Sequence, residues 1–195
     1  MGKIKKIFIC LLAFFIGGAL MAEAKNGGWD KTFPKSEKVN IQKVKFKNRY
    51  GIILAGDMYT PKGLKGKTAA IAVSGPFGAV KEQVSGRYAQ AMAERGFVTL
   101  AFDPSYTGES KGTPRNLASS EINTEDFSAA VDFLSDQKNV DLNKIGVIGI
   151  CGFGGFALNA AAIDTRIKAT VTITMYDMTR VTAKGYNDSM DEQAR

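Results

Sequence analysis

The 195-residue sequence contains no histidine. That excludes a Ser-His or Cys-His catalytic pair, and any imidazole-ligated metal, built from these residues alone. Cysteine is almost as scarce. Of the two cysteines, Cys10 lies in an N-terminal segment of export-signal character, so Cys151 has no intramolecular partner and must be buried, reactive or paired between chains. Neither low-complexity tracts nor internal repeats occur. Hydrophobic residues make up 45% and charged residues 23% of the chain, close to globular averages of roughly 45–50% and 25%, which excludes a disordered or fibrous protein. At about 150 residues per domain, the length fits one domain with tails. Lysine and arginine outnumber acids by 26 to 19, but the excess is scattered. The densest group, Lys62, Lys65 and Lys67 among glycines, reads as a solvated loop, so neither a nucleic-acid nor a lipid surface is expected.

Lys3, Lys5 and Lys6 precede an apolar run over residues 7–21, and Ala22-Glu23-Ala24 supplies the small-x-small pattern of a signal-peptidase site. The run is shorter than the roughly 20 residues a spanning helix needs. The expectation is a signal peptide over residues 1–24, cleavage after Ala24, no stable membrane anchor, and a periplasmic or secreted product. Losing three lysines and one glutamate takes the formal charge from +7 to +5.

Beyond the signal, residues 25–38 show no period and read as an N-terminal tail. Val39, Ile41, Val44 and Phe46 form an imperfect strand, Asn48-Arg49-Tyr50-Gly51 a turn, and residues 52–59 a second strand, together an antiparallel hairpin. Residues 69–74 and 97–102 are short continuous apolar runs of the kind found in strands buried on both faces. Between them Val80, Val84, Tyr88 and Ala91 fall at helical spacing and stop at Gly96. Phe127, Ala130, Val131 and Leu134 mark a second helix, with Asn123 as the expected N-cap. Strand 145–150, an Ala-rich helix around 156–163 and strand 167–176 complete three strand-helix-strand units. This alternation predicts an α/β fold: a mostly parallel sheet with right-handed crossovers, flanking helices and an N-terminal antiparallel hairpin. Residues 178–195 are polar and aperiodic and read as a C-terminal tail.

In such a sheet the ligand site lies beyond the carboxyl ends of the strands. The most informative loop there is Gly149-Ile150-Cys151-Gly152-Phe153-Gly154-Gly155. A nucleophile elbow needs a sharp strand-to-helix turn with small residues around a strained central residue, and the glycines meet that need. At its tip Cys151 would sit at a helix N-terminus, where the dipole favours thiolate. The Gly152 N–H would face an oxyanion, with a second donor from the Phe77 N–H in Ser74-Gly75-Pro76-Phe77-Gly78. Equally open is Cys151 as a small buried residue in a tight turn. A further alternative is a dinucleotide site, since Gly152-Phe153-Gly154-Gly155-Phe156-Ala157 matches G-x-G-x-x-A and Asp177 follows Ala157 by 20 residues.

Three motifs in order carry a resemblance. Pro76-Phe77-Gly78-Ala79-Val80-Lys81-Glu82-Gln83, Leu100-Ala101-Phe102-Asp103-Pro104-Ser105-Tyr106-Thr107-Gly108-Glu109-Ser110 and Gly149-Ile150-Cys151-Gly152 resemble the bacterial dienelactone-hydrolase-like branch of the α/β-hydrolase superfamily. The similarity runs over residues 39–177, the partial hydrolase-like domain, and is to the N-terminal part of that fold. It implies a carboxylic-ester or acyl hydrolase needing no cofactor or metal. Cys151 takes the nucleophile position, and Gly152 and Phe77 act as oxyanion donors. Asp177 stands where some α/β hydrolases place the acid, although a strand-end cap is the alternative. The family's His would follow a later strand, so the chain is expected to be catalytically incomplete. A non-catalytic binding remnant and a split enzyme, in which a second chain completes the sheet, are the competing readings. Lys81 and Lys168 are the remaining candidate bases, but the spacing places neither beside Cys151.

Overall fold

The computed structural model describes residues 28–190; the signal segment, its cleavage site and Cys10 lie outside the described residues, as do residues 191–195. The chain divides into Met1–Asp30, of which only the last three residues are described, and a main body, Lys31–Arg195, which the following concerns.

Strands β1 (Val39–Lys47) and β2 (Ile53–Pro61) pair antiparallel. Asn48 shapes their turn: its side-chain oxygen accepts from the N–H groups of Tyr50 and Ile52 at 3.1 and 2.9 Å. β3 (Thr68–Ser74), helix α1 (Val84–Ala93) and β4 (Val98–Phe102) follow. Then come α2 (Ser120–Ser135), β5 (Val140–Ile150), α3 (Gly152–Ile163) and β6 (Ile167–Ile173). The sheet order is β1-β2-β4-β3-β5-β6. β2 meets β4 antiparallel, and the β4-β3-β5-β6 portion is parallel. The chain thus builds outward from β3 to β4, crosses back to β5 on the other side, and continues to β6. The expected mixed α/β sheet is the observed one.

Two apolar layers cover the sheet. On one face Ala89 and Ala93 of α1 pack with Ile71, Val73, Ala101, Ile148 and Ile150. On the other, Phe127, Val131 and Leu134 of α2 and Phe153, Phe156 and Ala160 of α3 pack with Ala72, Leu100 and Val147. β4 is wholly buried, as a run with no polar face requires.

Local readings need revision at four places. The buried side of α1 is Ser85, Gly86, Ala89, Gln90 and Ala93, whereas Tyr88 is exposed. Small residues let this helix approach so closely that a methyl on Gly86 would stand 2.8 Å from the Tyr59 hydroxyl of β2 and 2.9 Å from the Phe33 ring. The α2 N-cap is Ser119, whose hydroxyl accepts from the Ile122 N–H; Asn123 is buried a turn later and donates to Asp126. β6 ends at Ile173 because Thr174 takes a positive φ of 47°. Finally, part of each tail is structured. Phe33 is buried in the α1-side layer, the Lys31 ammonium lies 2.6 Å from the fully buried Asp57 carboxylate, and Gln90 donates to the Pro34 carbonyl. At the other end, Met178–Lys184 forms helix α4, followed by a 3₁₀ turn at Tyr186–Asp188.

Candidate active site at the β5–α3 turn

The crossover reverses direction between β3 and β5, and a crevice opens at such a switch point beyond the carboxyl ends of the strands. The loops bordering it are the one after β3, carrying Phe77, and the β5–α3 turn, carrying Cys151. The two motifs, more than 70 residues apart in sequence, therefore face each other because of strand order.

Cys151 occupies φ 57°, ψ −128°, a conformation that costs a non-glycine residue about 1–3 kcal/mol and persists only when its surroundings enforce it. The enforcement is visible on the backbone. Its N–H donates to the Ile173 carbonyl at 2.8 Å, and its own carbonyl accepts from the N–H groups of Gly154 (3.0 Å) and Tyr176 (3.4 Å). Gly149 allows the close strand–helix approach: a methyl there would lie 2.4 Å from the Phe153 carbonyl oxygen. The thiol is half-buried and in no disulfide. This is the geometry of a nucleophile elbow.

Gly152 is the first residue of α3, so its N–H has no acceptor in a preceding helical turn. Opposite it, the 75–80 loop is closed by a bond from the Ala79 N–H to the Pro76 carbonyl, which leaves the Phe77 N–H outside the turn's own hydrogen bond. The Phe77 ring lies directly on the first turn of α3, 2.0 Å from where a Gly152 Cβ would stand. It packs against Phe153 and Phe156 at centroid distances of 5.1 and 5.9 Å. Phe153, a crowding residue in sequence terms, fits because its ring turns into the core, where it is 3% exposed. Backbone N–H groups that converge beside a nucleophile can stabilise the oxyanion of a tetrahedral acyl intermediate.

The other candidates make other contacts, although Asp177 lies between Tyr176, whose N–H meets the Cys151 carbonyl, and Met178, whose sulfur borders Gly152. Asp177 is the N-cap of α4 and accepts from the Arg180 N–H at 3.0 Å. Lys168 sits at the amino end of β6, where its ammonium donates to the Thr165 carbonyl. Cys151 follows the opposite end of β5, whose last residue, Ile150, pairs with Ile173. At about 3.3 Å per residue, Lys168 is roughly 16 Å from the elbow. Lys81 is 1% exposed and held by Glu82, Asp103 and Glu109. Burial alone would lower its pKa, but the hydrogen bonds it donates to Glu109 and Glu82 and the charge of Asp103 outweigh that and hold it above the ordinary lysine value. Neither lysine is placed as a base. Among the described residues, no cluster of three His, Cys, Asp or Glu side chains is arranged to hold a metal.

Two polar constructions escape sequence reading. One is the Lys81 cluster. The other is Asp126, fully buried, which accepts from Asn48 Nδ2 (2.9 Å), Ser105 Oγ (2.7 Å), Ser105 N–H (2.8 Å) and Asn123 Nδ2 (3.1 Å), and so pins the β1–β2 turn and the post-β4 loop to α2. An acid immediately after an apolar strand run, as at Asp103, was the one available signal.

Comparison with known proteins follows the same lines. The family model for PET hydrolase-like proteins (PETase) matches residues 34–185. The uncharacterised protein PA2218 of Pseudomonas aeruginosa is 66% identical over 180 residues, covering 92% of this chain and 48% of that one. Its crystal structure superposes with a TM-score of 0.84 over 88% of this chain and 54% of the other. The thiohydrolase aneE of Aspergillus aculeatus is 32% identical over 138 residues, 71% of this chain and 42% of that one. A dienelactone hydrolase-like promiscuous phosphotriesterase, P91, shares the fold at 23% identity and a TM-score of 0.58, over 71% of this chain and 60% of the other. The chain spans about half the length of the curated relatives it matches.

Proposed function

Because the chain belongs to the PET hydrolase-like family and carries the α/β-hydrolase fold, we propose that it is the nucleophile-bearing part of an exported acyl hydrolase in which Cys151 attacks the substrate carbonyl. The observation that carries this reading is the positive φ of Cys151, a strained backbone held at the crevice between the Gly152 N–H and the loop whose Phe77 ring covers Gly152.

The chemistry follows from the placement. The Cys151 thiolate forms a bond to the acyl carbon, and the carbonyl electron pair moves onto oxygen, where the N–H groups of Gly152 and Phe77 receive it. Collapse expels the alcohol as alkoxide, which takes a proton from solvent, and leaves a Cys151 thioester. A relative named as a thiohydrolase supports an acyl-transfer class. Release of the acyl group needs water activated by a base. These 195 residues contain no histidine, and both candidate lysines are engaged elsewhere. On this reading the base is supplied by polypeptide outside them, pairing with the edge of β6 that is open among the described residues, where Val171 is half exposed and Lys168 is the one charged residue. Asp177 caps α4, and these residues hold no histidine for it to orient.

Incubation of the purified chain with p-nitrophenyl acetate, read by intact mass, tests this. One acetyl adduct, absent in Cys151→Ala and accumulating without steady turnover, is the expected result. A folded chain with no adduct refutes the nucleophile, and steady turnover refutes the missing base. N-terminal sequencing of the secreted form, expected to begin at Lys25, checks export.

A further inference from the structure

Asp103, directly after β4, holds two loops at once. One oxygen accepts from the Lys81 backbone N–H at 2.7 Å; the other accepts from the Glu109 N–H at 2.9 Å and the Lys81 ammonium at 3.1 Å. The ammonium also meets Glu82 at 2.6 Å and Glu109 at 2.8 Å. Lys81 and Asp103 are 1% and 0% exposed. Burying such a pair is a poor way to gain stability, since apolar residues of similar volume often do as well or better. Its location suggests a different use. The loop after β3 is fixed at its start by Ser74, whose hydroxyl donates to the Phe102 carbonyl. Lys81 fastens its far end to the end of the neighbouring strand. Phe77 is at the apex between these anchors.

We propose that the Lys81–Asp103 pair is a positioning device that fixes the loop bearing the Phe77 N–H opposite the Gly152 N–H, so that the oxyanion donors are in place before an acyl group arrives. The pair touches no reacting atom; it acts through the loop. The inference rests on the reading of Cys151 as an acyl acceptor. Donors already aimed at a developing charge need no reorganisation during the reaction, and losing one costs roughly 100- to 1,000-fold in rate. A displaced donor loses part of that.

Two reagents separate positioning from general damage. Acylation by p-nitrophenyl acetate passes through an oxyanion. Alkylation by iodoacetamide displaces iodide at a saturated carbon and does not. Both depend on the thiolate and on access to it. In Lys81→Met, and in Lys81→Met/Asp103→Asn, which also removes the charge of the fully buried carboxylate and leaves only the more exposed Glu82 and Glu109 without the ammonium, acylation of Cys151 is expected to fall about 10- to 100-fold while alkylation stays within about threefold of wild type. An unchanged ratio of the two rates in a folded variant overturns the proposal. Loss of fold in both variants, seen by circular dichroism, also overturns it, by assigning the pair to stability. A wild-type chain that is alkylated but never acylated refutes the underlying reading instead, and the proposal with it.

Discussion

Replacing Gly149 with alanine tests the elbow's packing directly. The added methyl would stand 2.4 Å from the Phe153 carbonyl oxygen, 2.6 Å from the Ala157 Cβ and 2.8 Å from the Gly154 Cα. None of these is the end of a flexible side chain, and carbon–carbon contacts settle at about 3.5–4.0 Å, so the first turn of α3 has to retreat by roughly 1 Å. That retreat drags Phe153, Phe156 and Ala157 from positions where they are at most 5% exposed. Overpacking of this kind costs about 1–3 kcal/mol, and rigid neighbours place it near 3. With a urea slope of about 2 kcal/mol/M, the unfolding midpoint drops by about 1.5 M. Gly155→Ala in the same helix is the control. Its methyl would meet nothing nearer than the Tyr176 carbonyl oxygen at 3.5 Å, and alanine is favoured over glycine in a helix by up to about 1 kcal/mol, so the midpoint should rise by up to about 0.5 M. A Gly149→Ala midpoint within about 0.3 M of wild type would refute the close-approach argument.

Three further outcomes are expected. Lys31→Met leaves Asp57 charged, buried and without its ammonium, and should cost about 3–5 kcal/mol in urea unfolding, whereas Lys31→Met/Asp57→Leu should recover most of that loss. Asp126→Ala strands four donors on three segments and should cost about 3 kcal/mol, measured the same way. Asp164 is held below the ordinary carboxylate range by hydrogen bonds from Arg166. Because its folded pKa is depressed, its contribution is present above the unfolded value of about 3.9 and disappears as pH falls through the lower folded one. Asp164→Asn should therefore be less stable than wild type at pH 7, with the gap narrowing below pH 4; a gap independent of pH would contradict the assignment.

The sequence makes the central strands legible because burial on both faces leaves an almost continuous apolar run, as in Val98–Phe102, where the one polar residue, Thr99, donates to the Ala89 carbonyl. It makes the elbow legible because steric crowding demands glycine at fixed spacing. What stays hidden has no period. Lys31 reaches Asp57 across 26 positions, Lys81 reaches Asp103 across 22 and Asn48 reaches Asp126 across 78. A lone polar residue looks the same in sequence whether solvated or buried against such a partner. The α1 face differs from its apolar pattern for a related reason: apolar spacing favours Val84 and Tyr88, but close approach selects Gly86, Ala89 and Ala93. Asp177 shows the converse, a residue whose strand-end position fits an acid and whose hydrogen bond makes it a cap.

The bond from the Cys151 N–H to the Ile173 carbonyl also sets an order of events as the chain emerges. Every residue of the elbow has been synthesised before the strand that enforces its backbone exists. At about 5–20 residues per second, the intervening stretch takes one to several seconds to emerge. Through that interval the turn is free to relax into ordinary conformations and the thiol is an unassembled side chain. The strained geometry is completed only by the arrival of β6, so the backbone of Cys151 is fixed late.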